Sequence, residues 1–116
     1  MKEMLMAAKA AKLEVSQLTT EQRNAALEAM AQAMLDRAED ILAANAADME
    51  AAKDTISSVM LDRLRLTQDR IAGMAKGIRE VIQLPDPTGH ILEEHTRADG
   101  LKIQKISVPM GVIAII

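Results

Sequence analysis

Glu93, Glu94, His90 and His95 are the residues of this chain whose types and spacing come nearest to a reactive cluster. Two carboxylates that converge on one substrate can act as general acid and base, and two imidazoles can begin a metal site. The stretch from Ile91 to Arg97 reads as a strand, where successive side chains leave opposite faces, so adjacent Glu93 and Glu94 diverge and histidines five apart diverge as well. No cysteine and no third histidine completes a ligand set. The histidines therefore read as solvated side chains at a hairpin edge, and the expected set of metal ligands is none. The absence of cysteine also excludes disulfides and a thiolate nucleophile within this segment. No glycine-rich phosphate loop, nucleophile elbow or dinucleotide fingerprint occurs. The expected set of catalytic residues is likewise none.

The elements that carry these residues fall into two kinds. From Met1 to about Leu84 the apolar positions recur at helical spacing. A first amphipathic helix carries Met4, Leu5, Ala8 and Val15 and ends near Ser16 to Leu18. Thr19 followed by Gln22 forms a capping box that starts a second helix near Thr20, with Glu21 in its first turn. Leu27, Met30, Met34, Leu35, Ala38, Ile41 and Leu42 make one stripe along it, and Asp36, Arg37, Glu39 and Asp40 make its solvated face. Asn45 to Asp48 predicts a break before a third, short helix through Lys53. A further piece spans Ser58 to Leu66, and Thr67 with Asp69 caps a last helix bearing Ile71, Met74, Ala75, Ile78, Val81 and Ile82. Within it Gly73 and Gly77 have the spacing that lets a neighbouring helix or strand approach closely.

Leu84-Pro85-Asp86-Pro87-Thr88-Gly89 stops the helices, and the pattern changes to a hairpin over Ile91–Arg97 and Leu101–Val108 around an Ala98-Asp99-Gly100 turn. Pro109 and Gly111 precede an apolar run, Val112, Ile113, Ala114, Ile115 and Ile116, of the type that fits a strand buried on both faces of a parallel sheet. It stops with no turn, cap or charge, which predicts that the function belongs to a longer polypeptide. The organisation expected is a helical segment over 1–89, a hairpin over 90–109 and the first strand of a truncated domain over 110–116.

The chain of 116 residues is 49% hydrophobic, with nine methionines and no aromatic residue, a composition suited to helices packed through small and flexible side chains. Fourteen basic residues are scattered among 17 acidic ones for a net charge of -3, which gives no electrostatic case for a nucleic-acid or anionic-membrane partner. Lysines interrupt the apolar residues near the start, and no uncharged apolar stretch reaches the roughly 18 to 20 residues a membrane span needs. A cytoplasmic location is the expectation.

Four segments carry a family resemblance in register. Met60-Leu61-Asp62-Arg63-Leu64-Arg65-Leu66-Thr67 continues through Arg70-Ile71 to Arg79-Glu80-Val81, and Leu84-Pro85-Asp86-Pro87-Thr88-Gly89 follows it. Ile41-Leu42-Ala43-Ala44-Asn45-Ala46-Ala47-Asp48 stands before them and Val108-Pro109-Met110-Gly111-Val112-Ile113-Ala114-Ile115-Ile116 after. Together they resemble the gamma-glutamyl phosphate reductases, also called glutamate-5-semialdehyde dehydrogenases, over essentially the whole chain. The resemblance implies an α/β, aldehyde dehydrogenase-like fold. In it the N-terminal helices precede an oligomerisation hairpin and then the first strand of a Rossmann-type cofactor domain. It implies a homo-oligomer that reduces L-glutamyl 5-phosphate with NADPH to glutamate 5-semialdehyde and phosphate, in proline biosynthesis. A cysteine thiolate attacks the acyl phosphate, phosphate leaves, and hydride reduces the thioester. That cysteine is absent here, so the fragment alone is expected to be inactive. The terminal strand matches a cofactor-proximal element of the family, which makes Ile115 and Ile116 the implied cofactor-binding residues, with plain sheet core as the competing reading. A reading of another class is a non-catalytic helical module that binds a protein partner through its amphipathic stripes.

Overall fold

The computed structural model describes residues 2–113 and Ile115. The chain is helical with one two-stranded sheet and divides into two compact units, Asn24–Leu84 and a second made of Met1–Arg23 with Pro85–Ile116. No helix among the described residues is long and apolar enough to cross a membrane.

The second unit opens with α1 (Lys2–Ala10) and α2 (Lys12–Ser16). The Ala11 amide donates to the Ala7 carbonyl and the Val15 amide to that of Ala11, both at 3.0 Å, so the helical ladder runs across the junction as the amphipathic pattern predicts. The capping box forms as expected. The Thr19 amide donates to Gln22 Oε1 at 2.9 Å and the Gln22 amide to Thr19 Oγ1 at 3.3 Å, and α3 (Thr20–Asp36) starts at the position this fixes.

From Asn24 onward α3 belongs to the helical unit with α4 (Ala38–Ala52), α5 (Ser58–Leu64) and α6 (Gln68–Ile82). Two boundaries differ from expectation. The helix breaks at Arg37, whose backbone sits at φ -108° and ψ 21°, while α4 runs unbroken through Asn45 to Ala52. No glycine or proline marks the Arg37 break, and its amide and carbonyl still bond Ala33 and Ile41, so sequence carries little trace of it. The apolar stripe is thereby divided between two helices, and Met30 faces solvent while Ala31 and Ala38 are buried. Asn45 is not a breaker because its side chain is turned inward. Its Nδ2 donates to the Leu64 carbonyl at 2.9 Å and its Oδ1 accepts the Leu66 amide at 2.8 Å, satisfying the backbone where α5 ends.

Ser57 caps α5 and Thr67 caps α6, each hydroxyl accepting the amide three residues on. Arg79 of α6 grips Glu28 of α3 with both Nε and Nη2 and also reaches Gln32 at 3.2 Å. This pairing holds the Glu28 carboxyl below its ordinary range. The core of the unit is small, with Ala31, Ala38, Ile71 and Ala75 as its buried apolar residues and Ile71 the one large side chain fully enclosed. Close approach at Gly73 and Gly77 is not realised: nothing among the described residues lies within 4 Å of where a Cβ would stand at either.

The sheet joins β1 (Ile91–Thr96) and β2 (Lys102–Ile106) antiparallel, with Glu93 opposite Lys105 and His95 opposite Ile103. A register shift between Ile91 and Glu93 marks a bulge at its open end. The turn is the expected one. Gly100 takes φ 86°, its amide bonds the Arg97 carbonyl, and the Asp99 carboxylate accepts the Leu101 amide. Both strands are exposed along their whole length. After β2 the residues 107–113 and Ile115 lie in neither helix nor strand. Ser107 still exchanges backbone hydrogen bonds with Gly89 and His90, but a strand forms only against a partner edge, and residues 108–113 find none among the described residues. Ala114 and Ile116 lie outside the described residues.

Candidate functional site

A dense knot of polar contacts surrounds the Asp86-Pro87-Thr88 loop. Asp86 Oδ1 accepts the Thr88 amide at 2.9 Å and the Thr88 hydroxyl at 2.7 Å, closing an Asx-type turn. Its Oδ2 accepts the Thr20 hydroxyl at 2.8 Å and pairs with Arg23 Nη2 at 3.4 Å. Arg23 also donates to the Leu18 carbonyl at 2.7 Å and to Thr88 Oγ1 at 2.8 Å. Its Nε is buried and finds no acceptor among the described residues. Four donors converge on one carboxylate. They draw the Asp86 carboxyl down to about 2, the Thr88 hydroxyl and amide contributing most, then Thr20 and Arg23.

The knot fixes the loop that leads into the hairpin. Gly89, at φ 77°, donates its amide to the Ser107 carbonyl. Ser107 Oγ donates to the Pro87 carbonyl at 2.6 Å and accepts the His90 amide at 3.0 Å. His90 Nε2 lies against the Asp86 carbonyl. That contact occupies one ring nitrogen, so His90 reads as a loop fastener, while His95 sits within β1. No group of three or more His, Cys, Asp or Glu among the described residues is arranged to hold a metal ion. Glu93 and Glu94 each have a cationic partner. Glu93 pairs with Lys105 at 2.9 Å and Glu94 with Lys102 at 2.9 Å, and the Gln104 amide, followed by Lys102, holds the Glu94 carboxyl below its ordinary value.

Beside the knot, the residues after Ser107 cross the first helices. Ala8, Lys12, Val15, Ser16 and Arg23 face Pro109, Gly111 and Val112 around an open, mainly apolar groove of about 430 Å³. Gly111 takes φ 105°, and the Lys12 side chain comes to 3.5 Å of where its Cβ would be. Ile115 is 94% exposed, and no other implied cofactor residue lies within the described part of the chain. The charge of Arg23 is matched by Asp86.

Thr20, Arg23 and the carboxylate of Asp86 were not distinguishable as site residues by pattern. The available signal was the Asp-Pro-Thr turn itself, which sequence reads as a helix stop.

The chain resembles known proteins in sequence and in fold. No family model matches the chain. A gamma-glutamyl phosphate reductase of Streptococcus suis (strain 05ZYH33) is 55% identical over 105 residues, 90% of this chain and 26% of that protein. One from Streptococcus pneumoniae (strain Hungary19A-6) is 54% identical over 107 residues, 92% of this chain and 26% of its own length. The crystal structure of gamma-glutamyl phosphate reductase from Thermotoga maritima superposes with a TM-score of 0.83 at 34% identity, over 88% of this chain and 25% of that one. That from Saccharomyces cerevisiae gives 0.79 at 30%, over 88% and 26%. The chain thus spans about a quarter of the length of the curated relatives it matches.

Proposed function

We propose that this chain, homologous to the gamma-glutamyl phosphate reductases over about a quarter of their length, is the N-terminal part of such an enzyme. The observation that carries the reading is the joint agreement of sequence and fold. Identity of 54–55% runs along nine-tenths of the chain, and solved reductases reproduce its architecture. The assembled enzyme reduces L-glutamyl 5-phosphate with NADPH, giving glutamate 5-semialdehyde, phosphate and NADP⁺, a step toward proline. It works in the cytoplasm as a homo-oligomer, with the hairpin as the oligomerisation element. The comparisons do not favour a free-standing interaction module.

Within that enzyme these residues support the reaction without performing it. The chain holds no cysteine to form the acyl-enzyme and no glycine-rich loop to receive a pyrophosphate. Ile115 and Ile116 can supply an apolar wall to a cofactor ring, and nothing here fits the charged part of a dinucleotide. NADPH therefore does not bind to this segment alone. Its role is to build the helical layer and to fasten, through the Asp86 knot, the path by which the chain enters the segment over 110–116, the first strand of the cofactor domain.

The test is intact-mass measurement of the native gene product followed by assay of that sample with NADP⁺, glutamate 5-semialdehyde and phosphate. A product much longer than 116 residues that reduces NADP⁺ supports the reading. A native product of 12.6 kDa without turnover overturns it.

A further inference from the structure

Asp99 is the one aspartate of the chain followed by glycine, and it stands at the tip of the hairpin that joins β1 to β2. Ala98, Asp99 and Gly100 are all exposed, and the Asp99 side chain is 55% open to solvent. Its carboxylate is folded back over the main chain that follows it. Oδ1 accepts the Leu101 amide at 3.2 Å, and Oδ2 pairs with Arg97 Nη2 at 3.3 Å. This Asx-type closure holds the carboxyl group beside the Gly100 amide, which lies inside the ring that the bond to Leu101 closes. Gly100 has no Cβ to crowd that approach, and nothing among the described residues stands within 4 Å of where one would be.

We infer that the Asp99–Gly100 linkage is a self-modification site, at which the chain isomerises from aspartate to isoaspartate through a cyclic imide. The Gly100 nitrogen attacks Cγ of the protonated Asp99 carboxyl. A carbon–nitrogen bond forms, and one carboxyl oxygen leaves as water with its own proton and the amide proton. Water then opens the five-membered ring. Addition at the former side-chain carbonyl restores aspartate, whereas addition at the former main-chain carbonyl frees that carbon as a carboxylate and routes the backbone through Cβ. One water is lost and one is gained, so no oxidant, reductant or further reactant enters. The other aspartates lack this combination. Asp36, Asp40, Asp48, Asp62 and Asp69 lie in helices, whose dihedrals and amide ladder oppose ring closure. Asp86 precedes proline, which has no amide proton to lose, and Asp54 precedes Thr55, whose branched side chain crowds the attacking nitrogen. The product reshapes the tip, because an added backbone carbon displaces the Gly100 amide from the Arg97 carbonyl that it bonds at 2.9 Å.

The native full-length protein, aged at mildly acidic to neutral pH and digested with trypsin, releases Ala98 to Lys102 as one peptide. Its isoaspartyl form has the same mass, separates by reversed-phase chromatography and accepts a methyl group from a protein isoaspartate methyltransferase. Isoaspartate at Asp99 should accumulate at least about tenfold faster than at Asp54, which also lies in an exposed turn. Equal rates at the two positions overturn the inference. Isoaspartate that forms in a free synthetic peptide of the same sequence and not in the folded protein overturns it as well, because the hairpin then shields the bond that its tip was argued to present. Either result leaves the proposed function standing, since the reaction belongs to this turn and not to the reductase site.

Discussion

Asp86 accepts four hydrogen bonds or ion pairs from three residues, and each is stronger to the carboxylate than to the acid. That is why its carboxyl is drawn from an ordinary 3.8 to about 2. The sign of the linkage follows. A folded-state value below the unfolded one contributes stability fully present above about pH 4, and this is lost as pH falls through about 2. Asp86→Asn keeps the shape, removes the negative charge opposite Arg23 and abolishes that acid-dependent part. NMR titration of the Thr88 amide in the full-length protein checks this: the wild-type resonance should move with a midpoint near 2 and the variant should show no such step. Equal acid profiles for the two proteins would show that the knot is not what holds the loop. Arg23 bears the other side of the argument, because its buried Nε already lacks an acceptor and the loss of Asp86 leaves its charge unmatched as well.

Among the elements, α4 is fastened to the end of α5 by one polar residue, Asn45. Asn45 is 9% exposed and uses both ends of its amide to bind backbone groups at the end of α5. Asn45→Ala strands a carbonyl and an amide, at a cost of about 1–3 kcal/mol. The measurement is amide exchange at Leu66, which should accelerate by the corresponding factor while the α3 amides near Glu28 stay protected. Ile71→Ala, at the one large enclosed side chain, should cost more, about 2–5 kcal/mol, and open the whole helical unit. These two residues also show what sequence could convey. Ile71 was legible because apolar residues at helical spacing have one sensible destination, and the caps at Thr19 and Thr67 and the Gly100 turn were legible because their chemistry is local. Asn45 was misread because asparagine favours both helix breaks and long-range backbone satisfaction, and which of these wins depends on residues 19 and 21 positions away. The Asp86 knot was invisible for the same reason: its partners Thr20 and Arg23 lie more than 60 residues back along the chain.

At the scale of the whole molecule, the decisive property is how little large apolar surface the described residues enclose by themselves. Val108, Met110, Ile113 and Ile115 stand mostly in water after the hairpin, Leu13 and Met4 do so near the start, and the four buried apolar residues among those described include three alanines. Burial of apolar area is the main term that opposes chain entropy, and alanine supplies little of it. The isolated 116-residue chain should therefore keep its locally encoded helices, melt broadly and associate as its concentration rises. Sedimentation velocity with parallel thermal circular dichroism tests this. Replacing Ile113 and Ile115 by lysine should shift the sedimentation profile toward monomer without restoring a sharp transition, because those residues drive association while the thin core limits cooperativity. A dilute wild-type monomer with a single steep melt would contradict the argument. It would mean that the helical layer and hairpin are self-sufficient, and that their relation to the longer reductases is one of shared ancestry more than of structural dependence.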